Sequence, residues 1–290
     1  KSLGNAKVWL AAAGQMFFTL SVGMGSIQTY ASYLRKKDDV ALTGLSTAST
    51  NECAEVVLGG TIAIPAAVVF FGVAGATAIA NRGSYDLGIV AMGVVFQGLP
   101  GPQVLGQLAA FLWFFLLFIA GVTSCVALAS PTIAFLQEEI GLTRRNAART
   151  VAGLGLLLGL FHVVFYQRGV LDEWDYWAGT FGLVVFATIE IILFSFVFGI
   201  DRGWDELHQG ADIKIPRIYK PIMKWVTPLF LVTLLSWWTV TEAYPNILMK
   251  GVADPANIPY LWLARILMIA LVVTGAILIR RSWVHRTMDS

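Results

Sequence analysis

The sequence predicts an all-helical integral membrane protein. Of its 290 residues, 57% are hydrophobic and only 13% are charged, whereas a soluble domain carries about 25% charged residues. The apolar stretches are long enough to cross a bilayer as helices, which need about 20 residues each. The formal net charge of +2 is too small to suggest that the chain binds nucleic acid. We therefore expect a lipid bilayer around the protein and no nucleic acid among its partners.

Seven hydrophobic segments are predicted to span the membrane. They lie at 8–33, 42–71, 106–137, 147–166, 176–199, 222–243 and 257–280. The first three exceed a minimal span, so we expect them to tilt or to extend beyond the bilayer. A segment rich in Gly and Pro, 72–106, separates the second and third spans and is predicted to be a partly helical outer loop. A polar linker, 201–216, separates the fifth span from the last two.

The distribution of Lys and Arg predicts the orientation of the chain. The loops after the first, third and fifth spans, together with the C-terminal tail, carry thirteen of the 20 Lys and Arg residues, and the opposite side carries five. The C-terminus is therefore predicted to be cytoplasmic, which puts residue 1 outside. The sequence shows no initiating Met and no signal peptide that would translocate this end. We expect that membrane spans precede Lys1; a cleaved signal peptide is the alternative.

The first span contains a predicted helix interruption. Residues 17–25, FFTLSVGMG, place two glycines one residue apart beside a Ser and a Thr. In hydrocarbon an unpaired backbone N–H or C=O is costly, so an interruption persists only where it lines protein or a water-filled cavity. Secondary transporters build substrate and ion sites from such broken helices. A kinked helix with close Gly packing is the alternative interpretation.

Polar side chains inside the second and third spans are further candidates, because charge in a bilayer usually faces a bundle interior or a pathway. Asn51 and Glu55 are spaced i, i+4, which places them on one face of a regular helix. Hard cations prefer such oxygen ligands; a solvated or locally paired helix start is the alternative. In the third span, Thr123 and Ser124 follow Ala120 at helical spacing, although such hydroxyls often bond back to their own helix.

Together these segments resemble the neurotransmitter:sodium symporter family, in its prokaryotic amino-acid transporter branch. The matching segments run in order along the chain: 15–25 (QMFFTLSVGMG), 30–33 (YASY), 51–55 (NECAE), 120–124 (AGVTS) and 171–180 (LDEWDYWAGT). The resemblance implies the C-terminal seven helices, spans six to twelve, of a twelve-helix inverted-repeat sodium symporter fold with a broken first helix. Residues 1–200 resemble the second repeat, and residues 201–290 resemble a cytoplasmic linker with the last two spans. The first repeat is missing from these residues.

The resemblance also implies roles for individual residues. Thr19 and Asn51 correspond to ligands of a first sodium ion, and Ala120, Thr123 and Ser124 to ligands of a second. The substrate-binding set comprises Phe18, Thr19, Ser21, Met24, Ser124 and Leu128. The gate and coupling set comprises Gln15, Tyr33, Glu55, Glu138 and Asp175. Tyr85 corresponds to an aromatic residue of an outer vestibule. Both sodium sites are incomplete here, because their other ligands, like the Arg partners of both gates, are expected from the missing repeat.

The function that this resemblance implies is sodium-coupled uptake of an amino acid across the cytoplasmic membrane by alternating access. Because Phe18, Met24 and Leu128 are apolar, we expect a neutral, hydrophobic or aromatic substrate. Glu55 lies where chloride-dependent relatives carry a small hydroxyl residue, so its carboxylate is expected to make chloride unnecessary. The alternative is an inactive half-transporter remnant or a membrane interaction protein. The sequence leaves the oligomeric state open, with a homo-oligomer among the options.

Nothing in the sequence points to an enzyme. The three histidines are isolated and lack the HExxH spacing of a metalloprotease, and no nucleophile–base motif is present. The carboxylates around Asp175 suit the capping of a helix start. His162 in the fourth span is interpreted as a packing or hydrogen-bonding residue. Arg265 in the last span is interpreted as a snorkelling charge, or as a contact with lipid or another subunit.

Overall fold

The computed structural model of the chain describes residues 2–35, 37–80, 86–252 and 254–289. Helices make up most of these residues, and we number them in chain order. They are α1 (Ala6–Thr19), α2 (Ser26–Ala31), α3 (Val40–Ala80), α4 (Gly88–Gln97), α5 (Gln103–Glu138), α6 (Arg144–Val164), α7 (Val170–His208), α8 (Tyr219–Thr241), α9 (Ala243–Ile247) and α10 (Ile258–Asp289).

Within the described residues, six helices are long and apolar enough to cross a membrane, namely α3, α5, α6, α7, α8 and α10. They correspond to the second to seventh predicted spans, so the all-helical membrane fold is confirmed. The first predicted span, 8–33, is instead two short helices, α1 and α2, separated by residues 20–25. We call residues 20–25 the break.

Two helices run further than predicted. α3 continues to Ala80 rather than ending at residue 71, because the chain bends at Gly72 (φ 67°, ψ 170°) and then resumes its helix. α7 continues to His208, beyond the predicted end at residue 199. Its last turns fall in the predicted polar linker, yet they form a helix because Ile200 and Gly203 are buried on one side.

The segment between the second and third predicted spans is partly helical, as expected. It contains α4, which buries Met92 and Val95. This burial explains how apolar residues are accommodated in a connecting segment. Tyr85, which the resemblance relates to an outer vestibule, lies outside the described residues.

The chain divides into two compact units. Unit 1 comprises Lys1–Ala41 with Leu128–Ser290, and unit 2 comprises Leu42–Ala127. These units reflect packing within the chain and do not test the predicted division between a repeat at 1–200 and two further spans at 201–290. That division stays a prediction.

The core of unit 1 forms where α1 packs against α7 and α8. Its buried residues are Leu10, Ala13, Val184, Leu231, Leu234, Trp238 and Ala243. Gly14 allows a close helix contact, because a Cβ there would lie only 2.9 Å from Cγ2 of Thr180 on α7. Small residues at such contacts are typical of membrane helices, which associate by close packing rather than by the hydrophobic effect. This contact holds the helix that precedes the break against α7.

Candidate functional site

The first half of the broken helix ends in a specific hydrogen-bonded cap. The N–H of Ser21 donates to the C=O of Phe18 at 3.1 Å. The N–H of Val22 donates to the C=O of Phe17 at 2.8 Å. This is the pairing of a Schellman motif, with Ser21 in the left-handed conformation at φ 56°. A residue other than Gly costs about 1–2 kcal/mol in that conformation, so Ser21 carries backbone strain.

Two glycines complete the break, and both have positive φ. A Cβ at Gly23 (φ 77°) would lie 3.0 Å from the carbonyl oxygen of Leu183 on α7. A Cβ at Gly25 (φ 76°) would lie 3.4 Å from Cβ of Pro131 on α5. Backbone conformation favours Gly at both positions, and the close approach adds a second reason at Gly23. The prediction that this pair of glycines interrupts the helix is confirmed.

A carboxylate on α7 accepts hydrogen bonds from the break and from the helix that follows it. Oε2 of Glu190 accepts from the N–H of Gly23 at 3.2 Å, and Oε1 accepts from Nε2 of Gln28 at 2.7 Å. Gly23 lies in the break and Gln28 lies in α2, so one side chain joins the two. The broken helix leaves backbone donors without an intrahelical acceptor, and Glu190 supplies one.

Sequence analysis did not single out Glu190. A signal was available, because Glu190 is the only charged residue between Leu183 and Ile200. A lone carboxylate in an apolar span usually has a pathway or a partner. The identity of its partners, more than 160 positions away in the sequence, could not be read from that signal.

The predicted substrate residues of unit 1 lie around the break. Phe18 is 48% exposed, whereas its neighbour Phe17 packs against the core. Thr19, Ser21 and Met24 are partly exposed. The side chains that the resemblance assigns to the substrate therefore occupy the accessible side of α1 and the break, opposite the core.

Two further predicted residues of unit 1 lie close to the break along the helices. Leu128 is exposed on α5, one turn before Pro131, whose side chain lies beside Gly25. Gln15 is exposed on α1, one turn before Thr19. Helix geometry thus places both near the interrupted segment.

In unit 2, Asn51 and Glu55 lie on α3 and are both partly buried. The helix is regular up to Glu52 and π-helical over Cys53–Gly59. That Asn51 and Glu55 share one face of the helix stays a prediction, because four residues make close to one full turn in either kind of helix. π-helical turns inside α-helices are frequent at functional sites.

The second predicted sodium site falls on α5 within unit 2. The hydroxyl of Thr123 donates to the carbonyl oxygen of Ala120 at 3.0 Å and to that of Ile119 at 3.1 Å. Ala120, Thr123 and Ser124 are exposed. The back-bonding alternative is therefore correct for Thr123, but it also sets a hydroxyl and a carbonyl oxygen side by side. Neutral oxygens of this kind suit a hard cation such as sodium.

Transition-metal chemistry has no candidate site in the described ranges. There, no three His, Cys, Asp or Glu side chains are grouped so that they would hold a metal ion. The residues predicted to bind sodium offer a different donor set, namely hydroxyl, amide and carbonyl oxygens.

The predicted gate residues lie at helix ends. Asp175 is exposed and begins the π-helical stretch Asp175–Gly182 of α7. Its Oδ1 lies over Gly179, where a Cβ would come within 2.9 Å of it. Tyr33 follows α2 and is 78% exposed, and Glu138 is the exposed last residue of α5. All three side chains thus lie on the surface of unit 1.

Arg265 contradicts its interpretation as a snorkelling charge. Its side chain is only 11% exposed and forms an ion pair with Glu173 on α7, with Nε 2.5 Å from Oε1. The partner is 92 positions away, so the sequence did not reveal it. His162 behaves as predicted, with Nδ1 2.6 Å from the carbonyl oxygen of Leu158 and its ring against that of Trp174.

The break, the long apolar helices and the carboxylate across the interruption define a helical membrane protein of the kind that secondary transporters exemplify. The model of the Sodium:neurotransmitter symporter family matches residues 1–289. The chain therefore belongs to that family, and the resemblance seen in the sequence is confirmed. It is a member of a sodium-dependent transporter family and not an enzyme.

Curated relatives carry consistent names. The chain is 26% identical over 239 residues to an uncharacterized sodium-dependent transporter of Methanocaldococcus jannaschii, covering 81% of this chain and 47% of the relative. It is 26% identical over 249 residues to the sodium-dependent nutrient amino acid transporter 1 of Drosophila melanogaster, covering 82% of this chain and 37% of the relative. The chain thus spans less than half the length of these relatives.

Proposed function

We propose that this chain is the second half of a sodium symporter that takes up a neutral, hydrophobic or aromatic amino acid across the cytoplasmic membrane by alternating access. The observation that carries the proposal is the break in α1–α2, in a chain that belongs to the Sodium:neurotransmitter symporter family. The name of the Drosophila relative, which refers to sodium-dependent transport of nutrient amino acids, supports an amino acid as the substrate.

The break supplies the groups that an amino-acid zwitterion needs. Left-handed Ser21, Gly23 and Gly25 interrupt the helical pairing of the backbone. The N–H groups of Ser21, Val22 and Gly23 bond within the protein and hold the break in shape, so the carboxylate and ammonium of the substrate would meet other backbone groups of the break. Phe18, Met24 and Leu128 add apolar surface for the side chain. Because no charged residue is assigned to that lining, a neutral substrate is favoured.

Two sodium sites couple transport to the ion gradient in this proposal. Thr19 and Asn51 contribute to the first site, and Ala120, Thr123 and Ser124 to the second. A sodium ion beside the substrate carboxylate offsets its charge, so each ligand raises the affinity for the other by the same factor. The remaining ligands come from a first repeat outside these 290 residues.

We assign the charge compensation of the first site to Glu55, which makes chloride unnecessary. Asp175 with Gln15 forms part of the outer gate, and Tyr33 with Glu138 forms part of the cytoplasmic gate. In this topology, the C-terminus is cytoplasmic and residue 1 lies outside.

Uptake by the protein that contains this chain, reconstituted in liposomes, tests the proposal. We expect uptake of one or more labelled neutral amino acids that requires an inward sodium gradient and persists when gluconate replaces chloride. Asn51→Ala and Thr123→Ala should each reduce sodium affinity about tenfold or more, as expected for the loss of an ion ligand. Asn146→Ala, at an exposed helix start, and Thr239→Ala, with a similar back-bonded hydroxyl, are the matched controls.

Three outcomes would contradict parts of this proposal. Uptake that falls with chloride removal would exclude the role given to Glu55. Equal effects of Asn51→Ala and Asn146→Ala on sodium affinity would show that Asn51 is not a sodium ligand. Folded protein that binds and transports none of the amino acids with or without sodium would favour an inactive remnant.

A further inference from the structure

Arg265 is the centre of a buried polar cluster in unit 1. Its Nη1 donates to the carbonyl oxygen of Ile247 at 2.7 Å, and its Nη2 donates to that of Asn246 at 2.8 Å. Its Nε pairs with Glu173. One guanidinium therefore joins three elements, α10, the end of α9 and the first turns of α7. The planar fork of Arg suits such divided bonding, which the single ammonium of Lys does not reproduce.

The carboxylate partner is nearly as enclosed as the guanidinium. The side chains of Arg265 and Glu173 are 11% and 15% exposed. Oε1 of Glu173 also accepts from Nε1 of Trp177 at 2.7 Å, and the guanidinium lies 5.2 Å from the centre of the Trp177 ring. Removal of one member would leave the other charged and buried, which is strongly destabilising in general.

Neighbouring aromatic residues fix the same turns of α7. Nε1 of Trp174 donates to the carbonyl oxygen of Ala264 at 3.1 Å. Nε1 of Trp238 donates to the hydroxyl of Tyr176 at 2.8 Å. The five residues from Glu173 to Trp177, less than two helical turns, are thus tied to α8 and α10, while Asp175 between them stays exposed.

The exposed carboxylate lies at the start of an irregular stretch. Asp175 begins the π-helical residues Asp175–Gly182, in which Thr180 makes the close contact with Gly14 of α1. A π-helical turn is poor on its own and needs support from its surroundings. The ion pair of Arg265 with Glu173 lies just before this stretch and the contact of Arg265 with Trp177 lies within it, so Arg265 supports α7 on both sides of Asp175.

We propose that Arg265 is a positioning residue for Asp175: by binding Glu173 and the end of α9, it fixes the outer turns of α7 and so places the Asp175 carboxylate for closure of the outer gate. This inference rests on the proposed function, in which Asp175 belongs to that gate. Arg265 itself does not touch the substrate.

Transport kinetics distinguish positioning from general stabilisation. In the protein that contains this chain, Arg265→Met should raise the KM for the amino acid about tenfold, as misplacement of a gating group does, while turnover per folded molecule changes less than about threefold. In an Asp175→Asn background, Arg265→Met should add less than about a twofold change, because both substitutions remove the same interaction. Arg168→Met is the control, since Arg168 also stacks on an aromatic ring, Tyr260, but has only a 3.4 Å contact to Asn257.

A charge-neutral pair keeps the test valid if Arg265→Met folds poorly. Glu173→Gln combined with Arg265→Met buries no unpaired charge, so folded yield should recover while KM stays raised. Recovery of KM together with yield would show that the ion pair only stabilises the fold, and would overturn the inference. So would an effect of Arg265→Met that is undiminished in the Asp175→Asn background.

A labelling measurement separates this inference from the proposed function. With Cys53 and Cys125 changed to Ser, the rate at which a membrane-impermeant methanethiosulfonate modifies Asp175→Cys reports the placement of residue 175. We expect Arg265→Met to change this rate about threefold or more, because a new population of positions becomes accessible, and Arg168→Met to leave it unchanged. An equal labelling rate with Asp175→Cys alone, with added Arg265→Met and with added Arg168→Met would overturn the inference. Failure of the unmodified protein to transport would instead count against the proposed function.

Discussion

Among the positions where a glycine with positive φ interrupts a helix, Gly72 and the break have different surroundings. At Gly72 of α3, a Cβ would meet no atom within 4 Å. At Gly23 in the break, the backbone lies against Leu183, and its N–H donates to Glu190. The bend at Gly72 is a local change of direction, whereas the break is held in place by another helix.

This difference indicates what would allow a helix interruption to serve as the proposed binding site. A positive φ alone changes only the path of the chain. When a second helix supplies a carboxylate acceptor and close packing, the interrupted backbone keeps one conformation and its polar groups keep one orientation. The comparison predicts that substitutions at the break affect binding, and that equivalent substitutions at Gly72 do not.

The largest effect is expected for Gly23→Ala. The added Cβ combines a left-handed conformation, which costs about 1–2 kcal/mol, with a contact of 3.0 Å to a backbone oxygen that has no freedom to move aside. Amino-acid binding should fall about 100-fold, as misplaced binding groups typically cause.

Gly72→Ala is the matched control, because φ is also positive there but the space is open. We expect binding within about threefold of the unmodified protein, since the helix can straighten locally to relieve strain. Equilibrium binding of the labelled amino acid, per monodisperse molecule, measures both. Comparable losses in the two variants would show that the surroundings of the break do not matter.

Glu190→Gln should have the next largest effect. A carboxylate accepts from both Gly23 and Gln28, whereas a carboxamide directs its NH2 group at one of these donors. The loss of a hydrogen bond to a charged group is worth about 1.5–3 kcal/mol, so sodium-dependent binding should fall about 10- to 100-fold. Glu206→Gln, on the exposed end of α7, is the control, and binding that survives Glu190→Gln unchanged would exclude Glu190 from the site.

The sequence predicted those features of the candidate site whose residues are neighbours in the chain, and missed those whose residues are far apart in it. Gly23 and Gly25 are visible as neighbours in a single apolar segment, so the break was predictable. Glu190 and Gln28 are separated by 162 positions, and nothing in one sequence pairs them. Arg265 and Glu173 pose the same difficulty, and a lone Arg near a span end also has an ordinary explanation in snorkelling.

The predicted ends of two helices were wrong for a related reason. Apolar runs predict where lipid can surround a helix, not where hydrogen bonding stops. α7 therefore continues through the polar residues after Gly199, because its backbone pattern resumes at Ile200. The π-helical turn at Cys53–Gly59 likewise has no signature in hydropathy, so the sequence did not predict it.

A smaller effect is expected for Gln28→Ala. It removes one donor to Glu190, at 2.7 Å, but leaves the Gly23 N–H bound to the other oxygen, so binding should fall about fivefold, equivalent to about 1 kcal/mol. Gln209→Ala, on the exposed residue after α7, controls for the loss of an amide. In a double-mutant cycle with Glu190→Gln, the two losses should be less than additive; full additivity would mean that the two side chains do not act together.

Ser21→Gly should have the smallest effect, and its sign distinguishes strain from side-chain chemistry. Ser21 sits at φ 56°, where Gly is less strained by about 1–2 kcal/mol, but Gly also loses more entropy on folding, by about 0.5–1 kcal/mol. The net gain in stability is therefore small, and a slightly higher melting temperature is expected. Because the backbone groups of the break remain, binding should stay within about threefold.

The reverse substitution at another left-handed position provides the control for that gain. Gly169 has φ 75°, and a Cβ there would meet only the flexible end of Leu261, at 3.7 Å. Gly169→Ser should therefore lower the melting temperature by about as much as Ser21→Gly raises it, since both exchanges involve the same backbone strain. A lower melting temperature in both variants would be the contrary outcome. In that case the Ser21 side chain would stabilise the break by more free energy than its left-handed backbone conformation costs.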